Sequence, residues 1–226
     1  MNTFLVSQDC LDLGLRAGAL VLEDVQIEAA SAELRAEIDD EIEKIRGQFA
    51  SPAEIRSIAE LVRLYEILRA VGVKPRSHPP STQKLIDSAW KRGMLPAVNN
   101  LVDAYNLTSL RTRCSLGAHD LDRLAAPVEL RLFRGDESFR PLGSSEDAPV
   151  NAGEFGYVDS ENRVICRLDS LQADFSKVTA DTTRALLIVE STTVHDTERL
   201  EKNFSATRAL LDRFCAAKVQ IVAFPG

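Results

Sequence analysis

The chain has 226 residues, of which 45% are hydrophobic and 27% charged, and its formal net charge is −7. This composition is typical of a soluble globular protein with a sizeable core, and the apolar runs are too short to span a membrane. The opening MNTFLVSQDCLDLG lacks the basic flank and apolar stretch of a signal peptide, so we expect a single cytoplasmic domain over residues 1–226.

The N-terminal third predicts a strand followed by two helices. Apolar and polar residues partly alternate at 17–27, as they do in a half-buried strand. Residues 29–46 place leucine and isoleucine on one helical stripe, with acidic side chains on the other faces. A second helix over 51–68 begins with SPAE, where Ser51 suits the N-cap and Glu54 can reach back to the cap's backbone N–H.

A connector rich in helix breakers, GVKPRSHPPS at 72–81, follows these helices. Its three prolines cannot propagate a helix, so it divides an N-terminal layer, 1–73, from a core over 74–226. Ser81 then suits the cap of another helix, which ends at Gly93.

The remaining chain predicts a helix over 97–112 and then a sheet. Short apolar runs separated by turn residues indicate strands at 128–134, 153–159, 163–168 and 184–191, followed by a helix at 196–216 and a last strand at 218–224. Helices and strands do not alternate regularly as they do in a doubly wound sheet. The sequence therefore predicts an α+β fold, with a mixed or antiparallel sheet and packed helices.

The charge is unevenly distributed along the chain. Residues 74–113 carry seven basic and only two acidic side chains, whereas the segments on either side are acidic. The members of this basic segment are Lys74, Arg76, Lys84, Lys91, Arg92, Arg111 and Arg113. Such a cluster is expected to bind phosphates of a nucleic acid by counterion release, or alternatively to be a solvated helix face paired with the acidic first segment.

Motifs for metal and cofactor chemistry are absent from the sequence. Its four cysteines form no CxxC pair, its three histidines are isolated from one another, and no glycine-rich phosphate loop occurs. We therefore expect neither a metal nor a cofactor, and we interpret the cysteines as small buried hydrophobic residues. Of the three histidines, only His119 has carboxylates on a following apolar-acidic step, Asp120 and Asp122 in HDLD. Its residue type fits a general base as well as a packing or capping role.

Three separated motifs resemble a known family. They are PAVNNLVDAYNLTSLRTRCSLGAHDLDRL at 96–124, DESFRPLG at 136–143 and VTADTTRALLIVES at 178–191. Together they resemble the B3/B4 editing domain of the phenylalanyl-tRNA synthetase β subunit, and above all its free-standing relatives. The middle motif corresponds to a hairpin in that family.

The resemblance implies a tRNA-binding protein that hydrolyses the ester of an amino acid attached to the wrong tRNA. This chemistry requires an activated water and a pocket that selects one side chain. The implied partner is the acceptor end of a tRNA, contacted by the basic segment, with no membrane and no metal involved.

Individual residues follow from the same resemblance. Asn106 matches a substrate-pocket asparagine, and Asn100 lies on the same helix. The family's functional histidine falls on Gly117, and its phenylalanine falls on His119. Asp174 is the nearest match to the family's tyrosine-recognising glutamate and is one methylene shorter, so tyrosine specificity is not inherited.

The position of His119 leaves a question of geometry. If the segment is extended, residues 117 and 119 share a face, and the histidine can reach the same cavity as the family's residue. If it is a turn or helix, it cannot. Our leading hypothesis is a deacylase with His119 and Asp174 as catalytic residues and with Asn106, Gly117 and Asn100 binding substrate. The alternatives are a non-catalytic module that binds RNA or an amino-acid-like ligand, and a structural or partner-binding domain.

Overall fold

The computed structural model describes residues 3–224, so the two residues at each end of the predicted 1–226 domain lie outside the described part. Within residues 3–224 the chain forms seven α-helices, one 3-10 turn and nine strands, which confirms the predicted α+β class. The helices are α1 Gln8–Asp12, α2 Ala32–Gln48, α3 Pro52–Arg56, α4 Ala59–Ala70, α5 Ser81–Arg92, α6 Asn100–Thr112 and α7 Thr197–Phe214. The strands are β1 Phe4–Val6, β2 Leu15–Glu23, β3 Ser115–Asp120, β4 Val128–Leu132, β5 Phe155–Val158, β6 Val164–Arg167, β7 Leu171–Gln172, β8 Ala185–Thr192 and β9 Lys218–Ala223.

The strands form two sheets, where the sequence pattern had predicted one. The first sheet has the order β1-β4-β5-β6-β7 and is mixed, because β1 runs parallel to β4 and the other pairs are antiparallel. The second has the order β3-β8-β2-β9 and is antiparallel throughout. The N-terminal segment therefore contributes β1 to one sheet and β2 to the interior of the other.

The two central strands of the four-stranded sheet, β8 and β2, are buried on both faces. Along β8, Leu187 and Val189 pack into a core shared with the helices, while Leu186 and Ile188 pack into a second core shared with the five-stranded sheet. A strand with two buried faces needs apolar residues at successive positions rather than at alternate ones. This explains the unbroken apolar run of β8, and it makes any polar side chain on that strand conspicuous.

Side-chain caps set the starts of three long helices. The side chains of Ser31, Asn99 and Asp196 accept hydrogen bonds from backbone N–H groups at the starts of α2, α6 and α7, respectively. Such caps satisfy donors that have no partner within the helix. Gly93 ends α5 as predicted, and it adopts a left-handed conformation with φ of 63°.

The predicted helix over 51–68 is wrong in one respect, because the structure divides it into α3 and α4. Ser51 caps α3 as expected, and the Glu54 side chain accepts from the backbone N–H of Ala50 at 2.9 Å. The Ser57 hydroxyl then donates to the carbonyl of Glu54 at 2.7 Å. A serine that binds a nearby carbonyl competes with helix propagation, and the chain bends before Ala59.

Two further predictions need correction. Ser81 is the first residue of α5 rather than its cap, because Pro80 occupies the cap position and the Ser81 hydroxyl binds Asp169 instead. The segment 136–143 does not pair as a hairpin and makes only single bridges, from Ser138 to Arg163 and from Pro141 to Ala173. The short elements β1, α1 and β7 were not predicted, since two to five residues carry too little periodicity.

Candidate active site

The segment SLGAHD is a strand, β3, which answers the geometric question raised by the sequence. Its side chains alternate between the two faces, so Gly117 and His119 share a face. They pair with Ile188 and Leu186 of β8, both of which face the five-stranded sheet. Residues 117 and 119 therefore both point into the space between the two sheets.

A small cavity occupies this space. It is lined by Ser115, Leu116, Gly117, His119, Tyr157, Cys166, Asp169, Ile188 and Glu190. The cavity has a volume of about 40 Å³ and can hold one to a few waters, since a single water needs roughly 10–15 Å³. The cavity is far too small for an aromatic side chain.

His119 is held firmly in one orientation. Its Nδ1 shares a hydrogen bond with the Ser176 hydroxyl at 3.0 Å, and only 2% of the residue is exposed. A Cβ atom built on Gly117 would lie 4.0 Å from His119 Nε2 and within 4 Å of no other group. The second ring nitrogen thus faces the room that a side chain at 117 would fill. Burial lowers the pKa of His119 to about 4, so the ring is neutral at pH 7.

Two carboxyl groups complete the cavity. Tyr157 donates a short hydrogen bond to Glu190 Oε2, whereas the buried Oε1 of Glu190 has no partner among the described residues. Asp169 accepts from the hydroxyl of Ser81 at 2.9 Å and from its backbone N–H at 3.3 Å. Burial raises the pKa of both carboxyl groups, and the charge of Asp169 raises that of Glu190 further. Burial and the charge of Asp169 thus both favour the protonated form of Glu190.

The turn that carries Asp169 is strained. Leu168 and Asp169 have φ of 52° and 64°, in the left-handed region that a branched side chain such as leucine disfavours. Strain of this kind costs on the order of 1–3 kcal/mol per residue and persists only where the surroundings enforce it. The two Ser81 hydrogen bonds and the buried Leu168 side chain supply that enforcement here.

The other predicted site residues lie away from this cavity. Asp174 is on the surface, where its carboxylate accepts from the Gly143 N–H at 3.0 Å and from Lys177 at 2.9 Å, and these bonds lower its pKa. Asn106 is half-buried on α6 and does not line the cavity. Asn100 has a structural role, because its side-chain amide forms hydrogen bonds with the backbone of Gln26, Glu28 and Phe214.

The predicted basic segment does not form one surface. Arg111 pairs with Glu37 at 2.9 Å. This pair agrees with the alternative interpretation, a solvated helix face paired with the acidic first segment. Arg113 binds Gln48, Lys91 pairs with Asp87, and Lys84 reaches the carbonyl of Ser170. Arg92 is exposed on the last turn of α5. Lys74 and Arg76 both line a larger cavity.

Sequence reasoning missed Tyr157, Asp169, Ser176 and Glu190. Glu190 did leave a signal, because it is a carboxylate inside the buried run ALLIVEST of β8. Asp169 and Ser176 lie in turns far from His119 along the chain, and nothing in the local pattern points to them. Their meeting depends on how the two sheets stack.

A second polar cluster surrounds His195, just beyond β8. Its Nε2 lies 2.9 Å from Glu60 Oε1, and its Nδ1 lies 2.8 Å from Ser191 Oγ and 3.6 Å from Cys114 Sγ. Asn203 donates to that sulfur at 3.1 Å. Burial by itself lowers the pKa of His195, but the hydrogen bonds to Cys114 and Glu60 outweigh it and raise the pKa to about 9. This histidine is a cation at pH 7, and Cys114 is fully buried.

Neither cluster resembles a metal centre. Across residues 3–224, no group of three or more histidine, cysteine or acidic side chains is arranged to hold a metal ion. In the same part of the chain, no helix combines the length and apolar character needed to cross a membrane.

Comparison with known proteins identifies the family. The family model of the B3/4 domain matches residues 65–217, and the chain belongs to this family. Its structure is similar to an N-terminal fragment of the phenylalanyl-tRNA synthetase β subunit from Pyrococcus horikoshii, with a TM-score of 0.51 and 12% identity. That alignment covers 96% of this chain and 50% of the fragment, so the chain spans about half of the fragment's length. A search of curated proteins found no match.

Proposed function

We propose that the protein is a cytoplasmic, tRNA-binding deacylase that hydrolyses the ester between a tRNA and a wrongly attached amino acid. The observation that carries the proposal is the shared face of Gly117 and His119 on β3. The glycine leaves empty the place of the family's histidine, and His119 Nε2 faces that place from two residues further along. One imidazole thus substitutes for another from a neighbouring position.

The cavity supports hydrolysis by a bound water. In this reaction the water oxygen attacks the ester carbonyl carbon, a protein group takes the water's proton, and the bond to the terminal ribose oxygen breaks as that oxygen gains a proton. Neutral His119 can accept a hydrogen bond from the water at Nε2 and hold it in place. Its lowered pKa makes it a weak base, so we assign proton uptake to Asp169, whose raised pKa strengthens it as a base.

The size of the cavity limits what enters it. A volume of about 40 Å³ admits the water and a small part of the substrate, so the amino-acid side chain must lie at the mouth. The same observation favours our second candidate, a module that binds RNA or an amino-acid-like ligand without hydrolysis. The RNA contact of the deacylase, and of the second candidate where its ligand is RNA, is assigned to Lys74 and Arg76.

A panel of mischarged tRNAs tests hydrolysis. The protein is incubated with each tRNA, and loss of the labelled amino acid is followed over time. We expect accelerated ester loss for at least one pair, with a rate that rises with pH as the carboxyl base ionises. His195→Gln serves as the matched control, because it replaces a buried histidine outside the cavity. Wild-type rates equal to the uncatalysed rate for every pair would reject the deacylase.

A salt titration of tRNA binding tests the partner. For a protein that neutralises phosphates, log K falls linearly with log salt concentration, with a slope set by the number of contacts. We expect measurable binding at low salt and a steep loss as salt rises. Binding without hydrolysis would identify the non-catalytic module, and absent or salt-independent binding would remove tRNA as the partner.

A further inference from the structure

A larger cavity, with a volume of about 840 Å³, lies away from His119. It is bounded by the end of α3, α4, the connector 72–81 and the first turn of α5. Its lining includes four cationic side chains, those of Arg56, Arg69, Lys74 and Arg76. Arg56 lies outside the residues that the family model matches.

These four cations share the lack of an acidic partner in the described part of the chain. Within residues 3–224, none of them comes within 4.0 Å of a carboxylate oxygen, although the chain has an excess of acidic residues. All four are exposed, and they converge on one cavity rather than spreading over the surface. Like charges gathered in this way repel one another, and a bound anion would relieve that repulsion.

The neighbouring carboxylate is held by other groups. Asp87 accepts from Gln83 Nε2 at 3.3 Å and pairs with Lys91 at 3.1 Å. The side-chain oxygen of Gln83 in turn accepts from the Tyr65 hydroxyl at 2.9 Å. This bond fixes the orientation of the Gln83 amide at the cavity wall. Asp87 is therefore neutralised by Lys91, and the four cations remain available to a ligand.

The rest of the lining is suited to more than a bare anion. Val73, Pro75 and Pro79 supply apolar wall, and the Arg69 guanidinium lies 6.0 Å from the centre of the Tyr65 ring. Ligand cavities of roughly 300–1,000 Å³ typically hold molecules of nucleotide size, and arginine is the preferred partner of phosphate. The ligand should thus combine a phosphate with a sizeable ring system.

We propose that this cavity binds the phosphate of a nucleotide, either free or within a single RNA strand. Arg56, Arg69, Lys74 and Arg76 would contact the phosphate, and the apolar wall would contact the sugar or base. The inference depends on these side chains and not on hydrolysis at the His119 cavity. The proposed site adds two arginines from other elements to Lys74 and Arg76 of the predicted basic segment.

The test uses the full chain and three probes, namely inorganic phosphate, adenosine 5′-monophosphate and a short single-stranded RNA, each titrated at several salt concentrations. The variant Arg69→Gln/Lys74→Gln removes two of the four charges, and both side chains are exposed, so folding should be unaffected. The control is Arg92→Gln, which removes an exposed charge outside the cavity. We expect the double variant to weaken binding by at least about tenfold, since charged hydrogen bonds are involved, and the control to bind as the wild type does.

The three probes separate the possible sources of the phosphate. Binding of the mononucleotide supports a free ligand, and binding of the RNA alone supports a strand, in which case the salt slope should fall by about 0.7 per lost contact. Binding that the double variant and the control weaken equally, or no binding of any probe, would overturn the inference. Mischarged tRNAs and the three probes measured with the wild type keep the two proposals apart, because nucleotide binding can persist in a protein that does not hydrolyse any of the tRNAs.

Discussion

His119 lies on β3 opposite Leu186, near the start of β8, and His195 lies just beyond the end of β8. The two residues are almost equally buried, with 2% and 6% of their surface exposed. Their charge states are nevertheless opposite. His119 has one neutral partner, Ser176, and burial alone decides its pKa. His195 has hydrogen bonds to Cys114 and to the Glu60 carboxylate, and these raise its pKa. Burial therefore does not determine whether a histidine is charged, and the partner group does.

The largest effect should separate the two histidines by activity. In the proposed deacylase, His119→Ala removes the group that holds the water, and loss of such a group typically costs about 10²–10⁴-fold in rate. His195→Gln should change the rate by less than about threefold under conditions where it is folded. Single-turnover ester loss measures both, with circular dichroism as the check on folding. Equal rates for wild type and His119→Ala would leave this histidine with a packing role.

The second effect is on stability at acidic pH. The folded pKa of His119, about 4, lies below the unfolded value of 6.5, so the unfolded chain binds a proton that the folded chain rejects between these pH values. As the pH drops from 6.5 to 4, the free energy of unfolding of the wild type should therefore fall by up to about 3 kcal/mol more than that of His119→Gln. Urea unfolding of both proteins at several pH values measures the difference. If the difference in free energy of unfolding between the two proteins does not vary with pH, His119 takes up a proton in the folded state as it does in the unfolded chain.

His195 should show the opposite trend at alkaline pH. Its folded pKa, about 9, lies above 6.5, so its contribution is fully present below pH 6.5 and is lost as pH rises through 9. We expect a loss on the order of 2 kcal/mol once solvent screening is considered. The same unfolding series on His195→Gln, extended to pH 10, should lack this loss. A wild-type curve that is flat between pH 6.5 and 10 would contradict it.

A smaller effect is the coupling between His195 and Glu60. The hydrogen bond from His195 lowers the pKa of Glu60, so both partners are charged near neutral pH. A double-mutant cycle with Glu60→Gln and His195→Gln should give a coupling of about 1 kcal/mol at pH 7. Above pH 9 the coupling should shrink, because the imidazole loses its proton. The pair Lys202 and Glu198, on the surface of α7, is a suitable control with weaker coupling.

The smallest effect on stability concerns Gly117. An added Cβ has room there, with His119 Nε2 at 4.0 Å, and alanine restricts the unfolded chain more than glycine does. Gly117→Ala should stabilise the fold by about 0.5 kcal/mol and at the same time fill part of the water cavity. In a deacylase the rate should fall although the protein is more stable. A faster reaction would show that the water binds elsewhere.

Much of the fold followed from local patterns. The stripes of α2 and α7 and the apolar run of β8 each carry enough periodicity to predict an element and its extent within a few residues. The break at Ser57 was not predictable in this way, because it depends on one side-chain hydrogen bond within an otherwise regular stripe. The separation into two sheets was also hidden, since a strand buried on both faces looks the same whether it packs on helices or on another sheet.

The candidate site was predictable only in part. The family resemblance located Gly117 and His119, and the strand geometry then placed them on one face. Asp169 and Ser176 reach His119 and its cavity from turns about 50 residues further along, by contacts that no spacing rule describes. Asn100 shows the reverse error, because a residue type suited to substrate binding is used to connect three backbone segments.

The position of β2 has a consequence for how the protein is made. This strand is synthesised well before its two neighbours, β8 and β9, in which Ala185 and Val219 pair with Leu22. The four-stranded sheet therefore cannot close until β8 and β9 have left the ribosome, and domains rich in such distant contacts fold slowly. Until then β2 is an unpaired apolar strand, the kind of segment that chaperones protect from aggregation.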